Sequence, residues 1–204
     1  PTHTEITSEE EIRRVVPVIR RLVEEVDVPI SIDNYKSDVA HASLEAGAVM
    51  VNDVWGLKKD PDLAAVVAEH SAALILMHNQ LGTEYMDLIQ DVKTSLLESV
   101  GNALSAGVNG SRIILDPGFG FGKTPKHNLE VLRRLGELAE MGYPLLVGSS
   151  RKSTIGLVLD LPVQERLEGT AATVAVAICN GANIVRVHDV KVMARIAKMT
   201  DAIV

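Results

Sequence analysis

The sequence predicts an α/β protein with a parallel sheet, in the form of an incomplete (β/α)8 TIM barrel. Short apolar runs alternate with amphipathic stretches of helical period, six times over after one leading helix. Hydrophobic residues make up 47% of the chain but aromatic residues only 3%, so the core must be aliphatic, as in layered α/β proteins. Polar residues follow the end of every apolar run. This pattern favours a barrel, in which all strands end at one mouth, over a doubly wound sheet with a single switch point.

The leading helix is predicted from Ser8 to Val26, with a capping box formed by Ser8 and Glu11 and a bend at Pro17. The predicted strands span residues 28–33, 48–54, 72–78, 112–116, 144–148 and 183–188. The helices that follow them span residues 36–46, 60–70, 85–106, 125–141, 165–180 and 191–202. Asp60-Pro61 and Pro125 suit the first turns of their helices. Six strands are two short of closure, so we expect the first two strands of the barrel to be absent, which leaves an open sheet edge that aggregates or pairs.

Composition excludes several classes of function. The net charge of -7 and the pI near 5.4 argue against broad binding to nucleic acid or to a membrane surface. No apolar run is long enough to span a bilayer, and no signal peptide is recognisable. The single cysteine, Cys179, allows no disulfide framework and is predicted to be a buried thiol without a chemical role. These features favour a cytoplasmic protein and do not exclude an anionic small-molecule substrate.

The most informative segment is Ile113–Thr124, an apolar strand that ends in Asp116 and continues as Pro-Gly-Phe-Gly-Phe-Gly-Lys-Thr. Its end resembles a nucleotide P-loop, but the first glycine of that motif would fall at Pro117, which excludes it. Phe119 and Phe121 are the only phenylalanines in the chain, and core packing does not explain why both lie in a glycine-rich loop. An acid beside an aromatic side chain favours a site for a flat aromatic ligand. The alternative is an ordinary loop whose acid caps a helix.

Other strand ends carry further candidates. Asp33, the pair Asn52-Asp53, and Met77-His78 end the first three strands, although helix capping, turns and packing explain each of them equally well. The segment 148–156, Gly-Ser-Ser-Arg-Lys-Ser-Thr-Ile-Gly, offers two cations and four hydroxyls and is interpreted as a loop. Arg186 and His188 lie two residues apart in a strand and should point to the same side. A buried arginine is costly without an anion, which favours a bound phosphate or diphosphate.

Together these segments resemble the dihydropteroate synthase family. The matching segments are Pro-Ile-Ser-Ile-Asp33-Asn-Tyr-Lys, Val-Asn52-Asp-Val-Trp-Gly, Met77-His78, Leu-Asp116-Pro-Gly-Phe-Gly-Phe121-Gly-Lys-Thr, Val-Gly148-Ser-Ser-Arg-Lys152-Ser153 and Arg186-Val-His188-Asp-Val. They occur in the family's order along nearly the whole chain. The resemblance implies one pterin-binding barrel domain over residues 1–204. It also implies the condensation of 6-hydroxymethyl-7,8-dihydropterin diphosphate with 4-aminobenzoate to 7,8-dihydropteroate and diphosphate.

The resemblance also implies the roles of individual residues. Asp33, Asn52, Asp116 and Lys152 would hold the pterin, and Val54 and Met77 would line its slot. Arg186 and His188 would hold the diphosphate, and Phe121, Lys152 and Ser153 would form the aminobenzoate site, which sulfonamides occupy. Gly148 belongs to the substrate-binding set, and Lys152, Arg186 and His188 to the catalytic set. The family's substitution at the pterin methylene has carbocation character and needs no protein nucleophile.

The resemblance departs from the family at the N-terminus. Two family loops are not found: one supplies a ligand for Mg²⁺, and the other carries an arginine that meets the substrate; Pro1-Thr2 would follow the second. We therefore expect no metal ligand in this chain and weak activity at best, together with a homodimer formed through the late helices. Two alternatives remain open: a methyltetrahydrofolate-dependent methyltransferase with a related pterin pocket, and a non-catalytic pterin-binding module. An unrelated phosphate-binding barrel enzyme is a weaker third.

Overall fold

The computed structural model describes residues 6–204 and contains six βα units after a leading helix, which confirms the predicted α/β class. The helices are α1 (Ser8–Glu25), α2 (Ser37–Glu45), α3 (Leu63–Glu69), α4 (Leu88–Ser105), α5 (Pro125–Arg133), α6 (Leu135–Ala139), α7 (Ser153–Leu159), α8 (Leu167–Cys179) and α9 (Val190–Asp201). The strands are β1 (Ser31–Asp33), β2 (Met50–Asp53), β3 (Ala73–Met77), β4 (Ile113–Asp116), β5 (Leu146–Val147) and β6 (Ile184–Val185). Pro1-Thr2 lies outside the described residues. The prediction of a single domain stays a prediction.

The first of two compact units comprises residues 6–77 and 98–113. Its strands β1, β2 and β3 pair in parallel in that order, and the register places Asp33 beside Asn52. The core of this unit is aliphatic, as the composition predicts. Its fully buried side chains include Val39, Val51, Leu63, Val67 and Leu74.

The second unit comprises residues 78–97 and 114–204. Leu115 of β4 bridges Leu145 in parallel, and β5 pairs with β6 in parallel. Leu135, Leu138 and Phe119 are buried in this unit. The loops that leave β4, β5 and β6 carry most of the candidate site residues, and short parallel strands bring their starting points close together.

Helix boundaries differ from the prediction where side chains compete for the same cap. Thr7, not Ser8, caps α1, because its hydroxyl accepts from the amide of Glu10 at 3.3 Å. The predicted capping box is therefore wrong. Glu11 is used elsewhere: its carboxylate accepts from the ammonium of Lys36 at 3.0 Å. The Asp60 carboxylate likewise accepts from the amide of Ser37 at 2.7 Å. Helix α3 begins at Leu63, three residues after its predicted start at Asp60.

Three further predictions are corrected. The segment 125–141 forms two helices rather than one, with the break at Arg134. The segment 148–156 is not loop throughout, because α7 begins at Ser153. Cys179 is exposed, not buried, because α8 presents that position to solvent at its C-terminal end. Within residues 6–204, no helix combines the length and the apolar composition needed to cross a membrane.

Candidate active site in the loops after β4, β5 and β6

Asp116 is the most deeply buried acid of the second unit. It ends β4 and is only 1% exposed. Its Oδ1 accepts from the amide of Gly118 at 2.7 Å, and its Oδ2 lies 3.1 Å from Nη2 of Arg186. Burial raises the pKa of the Asp116 carboxyl, and the charge of Arg186 and the hydrogen bond from Gly118 partly offset this effect. Asp116 is thus a desolvated acceptor with Arg186 beside it, and the charges of Lys152 and Lys123 also lower its pKa.

Arg186 lies just beyond β6, which ends at Val185. The predicted alternation along a strand therefore does not apply, and Arg186 and His188 have different partners. Arg186 contacts Asp116, whereas His188 is exposed and its Nδ1 lies 2.8 Å from Oγ of Ser150. Since Asp116 is an anion beside Arg186, the burial of this arginine does not by itself require a phosphate, and its role at the diphosphate stays a prediction. Its side chain remains 39% exposed, so it can still meet a ligand.

Gly148 allows Arg186 to reach this position. A Cβ at residue 148 would lie 3.3 Å from Nη2 and 3.4 Å from Nε of the guanidinium. A larger side chain would push the guanidinium aside. Gly148 therefore belongs to the site as the surface against which Arg186 lies.

The loop after β5 supplies two cations with different surroundings. Arg151 forms a two-point ion pair with Asp189, with Nε and Nη2 at 2.9 and 2.8 Å from the two carboxylate oxygens. Lys152 turns instead towards the loop after β4: its ammonium donates to the carbonyl of Phe119 and lies 4.5 Å from the ring centroid of Phe121. The sequence predicts one loop with two cations, but only Lys152 approaches the predicted ligand site.

The loop of residues 117–122, here called the glycine loop, adopts a conformation that requires its three glycines. Gly118, Gly120 and Gly122 have φ values of 71°, 85° and 55°. Within this loop Phe119 is 1% exposed, so it is a core residue, whereas Phe121 is partly exposed. The hypothesis that both rings mark a ligand site therefore applies to Phe121 alone.

The sequence predictions missed the roles of two residues of this region. Lys123, which is 8% exposed, lies with Nζ 2.8 Å from Nδ1 of His78, which is 2% exposed. Asn128 accepts from the amide of Gly120 at 2.8 Å and donates to Oγ1 of Thr154 at 2.9 Å. The Gly-Lys-Thr sequence suggested only a failed P-loop. The one sequence signal for the role of Lys123 is its position directly after a glycine-rich loop, where a lysine side chain can donate to the carbonyls of that loop.

The candidates of the first unit follow its strands. Asn52 is 2% exposed, and neither atom of its side-chain amide has a hydrogen-bond partner among the described residues. Its neighbour Asp53 closes a turn by accepting from the amides of Trp55 and Leu57 at 2.8 and 2.5 Å. Burial raises the pKa of Asp53 to about 6, against the opposing effect of these hydrogen bonds. Asp53 thus closes a turn, which is one of the two explanations that the sequence allows. The side chain of Asn52 makes no such structural hydrogen bond among the described residues.

The other candidates are placed as follows. Asp33 is exposed at the end of β1, Val54 is partly buried just after β2, and Met77 is 1% exposed at the end of β3. Within the second unit the structure brings Asp116, Gly148 and Arg186 together, and Lys152 against Phe121. Ser153 is exposed at the start of α7, next to Lys152 in sequence.

Comparisons with known proteins agree with this arrangement. Residues 1–188 match the family model described as pterin binding enzyme. The dihydropteroate synthase of Clostridium beijerinckii is 51% identical over 205 residues, which cover 100% of this chain and 76% of that protein. The chain belongs to the dihydropteroate synthase family. The Bacillus subtilis member is 52% identical over 97% of this chain and 69% of its own length.

Solved structures of the family extend this similarity to three dimensions. A dihydropteroate synthase of Clostridium difficile, determined in the presence of pteroic acid, superposes with a TM-score of 0.97 at 52% identity. The match covers 100% of this chain and 78% of that one. The Xanthomonas albilineans enzyme in complex with 7,8-dihydropteroate superposes with a TM-score of 0.94 at 37% identity, over 98% of this chain and 78% of that one. These neighbours are TIM barrels, so the predicted barrel class is confirmed, and the family makes this chain a transferase of folate biosynthesis.

Proposed function

We propose that this protein joins 6-hydroxymethyl-7,8-dihydropterin diphosphate to 4-aminobenzoate. The amine nitrogen forms a bond to the pterin methylene carbon while the carbon–oxygen bond to diphosphate breaks. The electron pair of that bond leaves with the diphosphate oxygen, and the amine loses one proton. Relatives named dihydropteroate synthase support this reaction, as does the solved Xanthomonas albilineans enzyme with 4-aminobenzoic acid. They favour it over a methyltransferase or a non-catalytic module.

The observation that carries the proposal is the side chain of Asn52. A buried amide with neither its donor nor its acceptor satisfied costs free energy that a native structure rarely leaves uncompensated. A pterin presents adjacent N–H donors and acceptors along one edge, and an amide matches such a mixed edge. We assign Asn52 to pterin binding, together with the predicted contacts Asp33, Val54 and Met77.

Asp116 is the second proposed pterin ligand. Each of its oxygens accepts one hydrogen bond, from Gly118 or Arg186, so both retain acceptor capacity for the N–H groups of a heterocycle. An ionised acceptor in a buried position forms stronger hydrogen bonds than a neutral one. Burial raises the pKa of Asp116, and the charges of Arg186, Lys152 and Lys123 act against that effect and favour the ionised form.

The proposed diphosphate contacts are Arg186 and His188, and Lys152 is proposed to hold the pterin. Arg186 is partly exposed and lies flat against Gly148, and His188 is exposed with its Nδ1 at the Ser150 hydroxyl. Cationic donors fixed near a leaving diphosphate stabilise the charge that develops as the carbon–oxygen bond breaks. The aminobenzoate site is assigned to Phe121, Lys152 and Ser153, and sulfonamides are proposed to compete there.

Mg²⁺ is proposed as a cofactor, separately from the residue roles proposed for the substrates. No group of three or more histidine, cysteine or acidic side chains within residues 6–204 is arranged to hold a metal ion. The described residues therefore do not fit a protein cage for Mg²⁺, and no step above passes through the ion.

A homodimer is proposed on the outer surface of the second unit. Leu157, Val158 and Leu159 of α7 and Val176 of α8 are exposed to between 45% and 69%. A second copy of the chain would cover these apolar side chains. Light scattering on the purified protein tests this assembly, and a cytoplasmic location is proposed from the chain's acidic charge and single cysteine.

A turnover assay tests the proposed reaction. The purified chain, supplied with both substrates and Mg²⁺, is expected to release diphosphate and to form dihydropteroate at a low rate, and Lys152→Met is expected to lose most of this activity. Lys126→Met, at an exposed lysine of α5, is the matched control and should behave as wild type. Methyltetrahydrofolate should not displace bound pterin diphosphate. Displacement of pterin diphosphate, or binding without any turnover, would favour the alternative functions.

A further inference from the structure

We propose that Lys123 and His78 are positioning residues that fix the glycine loop and thereby hold Phe121 in place for the aromatic amine. This inference rests on the proposed function, which assigns Phe121 to the 4-aminobenzoate site. Neither residue is among the substrate contacts that the family resemblance implies. Both are buried in the second unit.

The ammonium of Lys123 is surrounded by three acceptors. Its Nζ lies 2.8 Å from Nδ1 of His78, 3.2 Å from the carbonyl oxygen of Phe121 and 3.3 Å from that of Gly118. A lysine ammonium has three protons to donate and no acceptor, so Nδ1 of His78 must be the acceptor and the ring proton must be on Nε2. The structure thereby assigns the tautomer of a buried histidine.

These bonds act on a loop that needs external support. Its three glycines occupy the left-handed region, and glycine loses more conformational freedom on folding than any other residue. The ammonium of Lys123 donates hydrogen bonds to the carbonyls at both ends of the segment 118–121, those of Gly118 and Phe121. The amide of Phe121 also donates to the carbonyl of Gly118 at 3.0 Å, which closes the turn.

A second support holds His78. Its backbone amide donates to the carbonyl of Asp116 at 2.9 Å, so the acceptor of Lys123 is fixed to the end of β4. The hydroxyl of Tyr85 donates to the carbonyl of Gly122 at 2.7 Å, and its ring lies 6.0 Å from that of His78. The lysine and the histidine therefore connect the glycine loop to residues that the sheet already orders.

The charge of Lys123 has two effects in this arrangement. It acts against the effect of burial on the pKa of the Asp116 carboxyl, and it lets the side chain donate to the carbonyls of Gly118 and Phe121. A methionine at residue 123 could do neither. Since a loop shift of about 1 Å is enough to impair catalysis, these bonds connect Lys123 to the placement of Phe121.

The first experiment compares KM values in the full chain. His78→Leu, which keeps the charge of Lys123, is expected to raise the KM for 4-aminobenzoate about tenfold or more, while the KM for pterin diphosphate changes by less than about threefold. Lys123→Met is expected to raise the KM for 4-aminobenzoate at least as much. His78→Asn should rescue the loss, because an amide oxygen can replace Nδ1 as acceptor. Lys126→Met should match wild type. Equal effects of His78→Leu on both KM values, or no rescue by His78→Asn, would overturn the proposal.

The second experiment does not depend on activity. Hydrogen exchange of the amides in residues 117–124 should be faster in Lys123→Met than in wild type and unchanged in His78→Asn. In wild type, an NMR signal from a slowly exchanging lysine ammonium should disappear in Lys123→Met, and the His78 ring should show a protonated Nε2. Unchanged loop exchange, or a proton on Nδ1, contradicts the proposal. Absence of turnover in wild type would refute the proposed function and leave this second test valid.

Discussion

Removing Arg186 should destabilise the protein in a pH-dependent way. In Arg186→Met the Asp116 carboxylate, with 2% of its side chain exposed, keeps the hydrogen bond from the amide of Gly118 and the charges of Lys152 and Lys123, but loses its ion pair. Breaking a fully buried ion pair costs about 3–5 kcal/mol, whereas exposed pairs contribute about 0–1 kcal/mol. Arg186 is 39% exposed, so solvent screening lowers the expected cost to about 2 kcal/mol at neutral pH.

The sign of the pH dependence follows from Asp116. Its pKa in the folded protein is raised above the ordinary value of 3.8, so the ionised folded state is penalised. Stability therefore falls as pH rises from 3.8 through the raised folded pKa, and below that window the carboxyl is protonated in both states. Without Arg186 the folded pKa rises further, which deepens the loss at neutral pH. Near pH 3.8 the cost of the substitution should be small.

Urea unfolding followed by the fluorescence of Trp55, the single tryptophan, measures this effect at about pH 4 and about pH 7. The control is the same substitution in an Asp116→Asn background, where no buried charge is left unpaired. There the cost of Arg186→Met should be well below 2 kcal/mol and independent of pH. A cost that is equal at both pH values, or equal in both backgrounds, would refute the reasoning.

Two further predictions concern stability. Gly118→Ala should cost about 3 kcal/mol or more, because its Cβ would lie 1.9 Å from the carbonyl oxygen of His78 at a φ of 71°, whereas Gly142→Ala, with a φ of 79° and open space, should cost about 1–2 kcal/mol. Equal losses in thermal or urea unfolding would show that the contact does not matter. Since burial raises the pKa of Asp53 from 3.8 to about 6, this carboxyl alone should cost wild type about 3 kcal/mol as pH rises from well below 3.8 to well above 6. Asp53→Asn should lack this loss, and a pH profile unchanged by the substitution would contradict that assignment.

The parts of the fold that depend on local patterns were predictable. Apolar runs and helical periodicity gave six βα units, and Pro125 begins α5 as expected. Prediction failed where neighbouring polar groups compete. Thr7 displaced Ser8 as the cap of α1, and the hydroxyl-rich segment that contains Ser153 concealed the start of α7. These choices depend on which side chain reaches which amide, and sequence spacing does not fix that.

The candidate site was predictable as a set of residues but not as a set of pairs. Asp116 and Arg186 are 70 positions apart, and sequence reasoning gave them to different parts of the substrate. Their ion pair follows only from the packing of β4, β5 and β6. Lys123 and His78, 45 positions apart, were likewise invisible as a pair. Long-range partners of this kind depend on the fold, which local sequence patterns do not specify.

The most direct test of the central claim is an equilibrium titration with 6-hydroxymethyl-7,8-dihydropterin diphosphate, carried out on wild type and on Asp116→Asn. The substitution keeps the size of the side chain but removes the charge and replaces one acceptor by a donor. If Asp116 binds the pterin, affinity should fall by about 1–3 kcal/mol, which is roughly 5-fold to 150-fold. Unchanged affinity would contradict the assignment of the pterin site to Asp116.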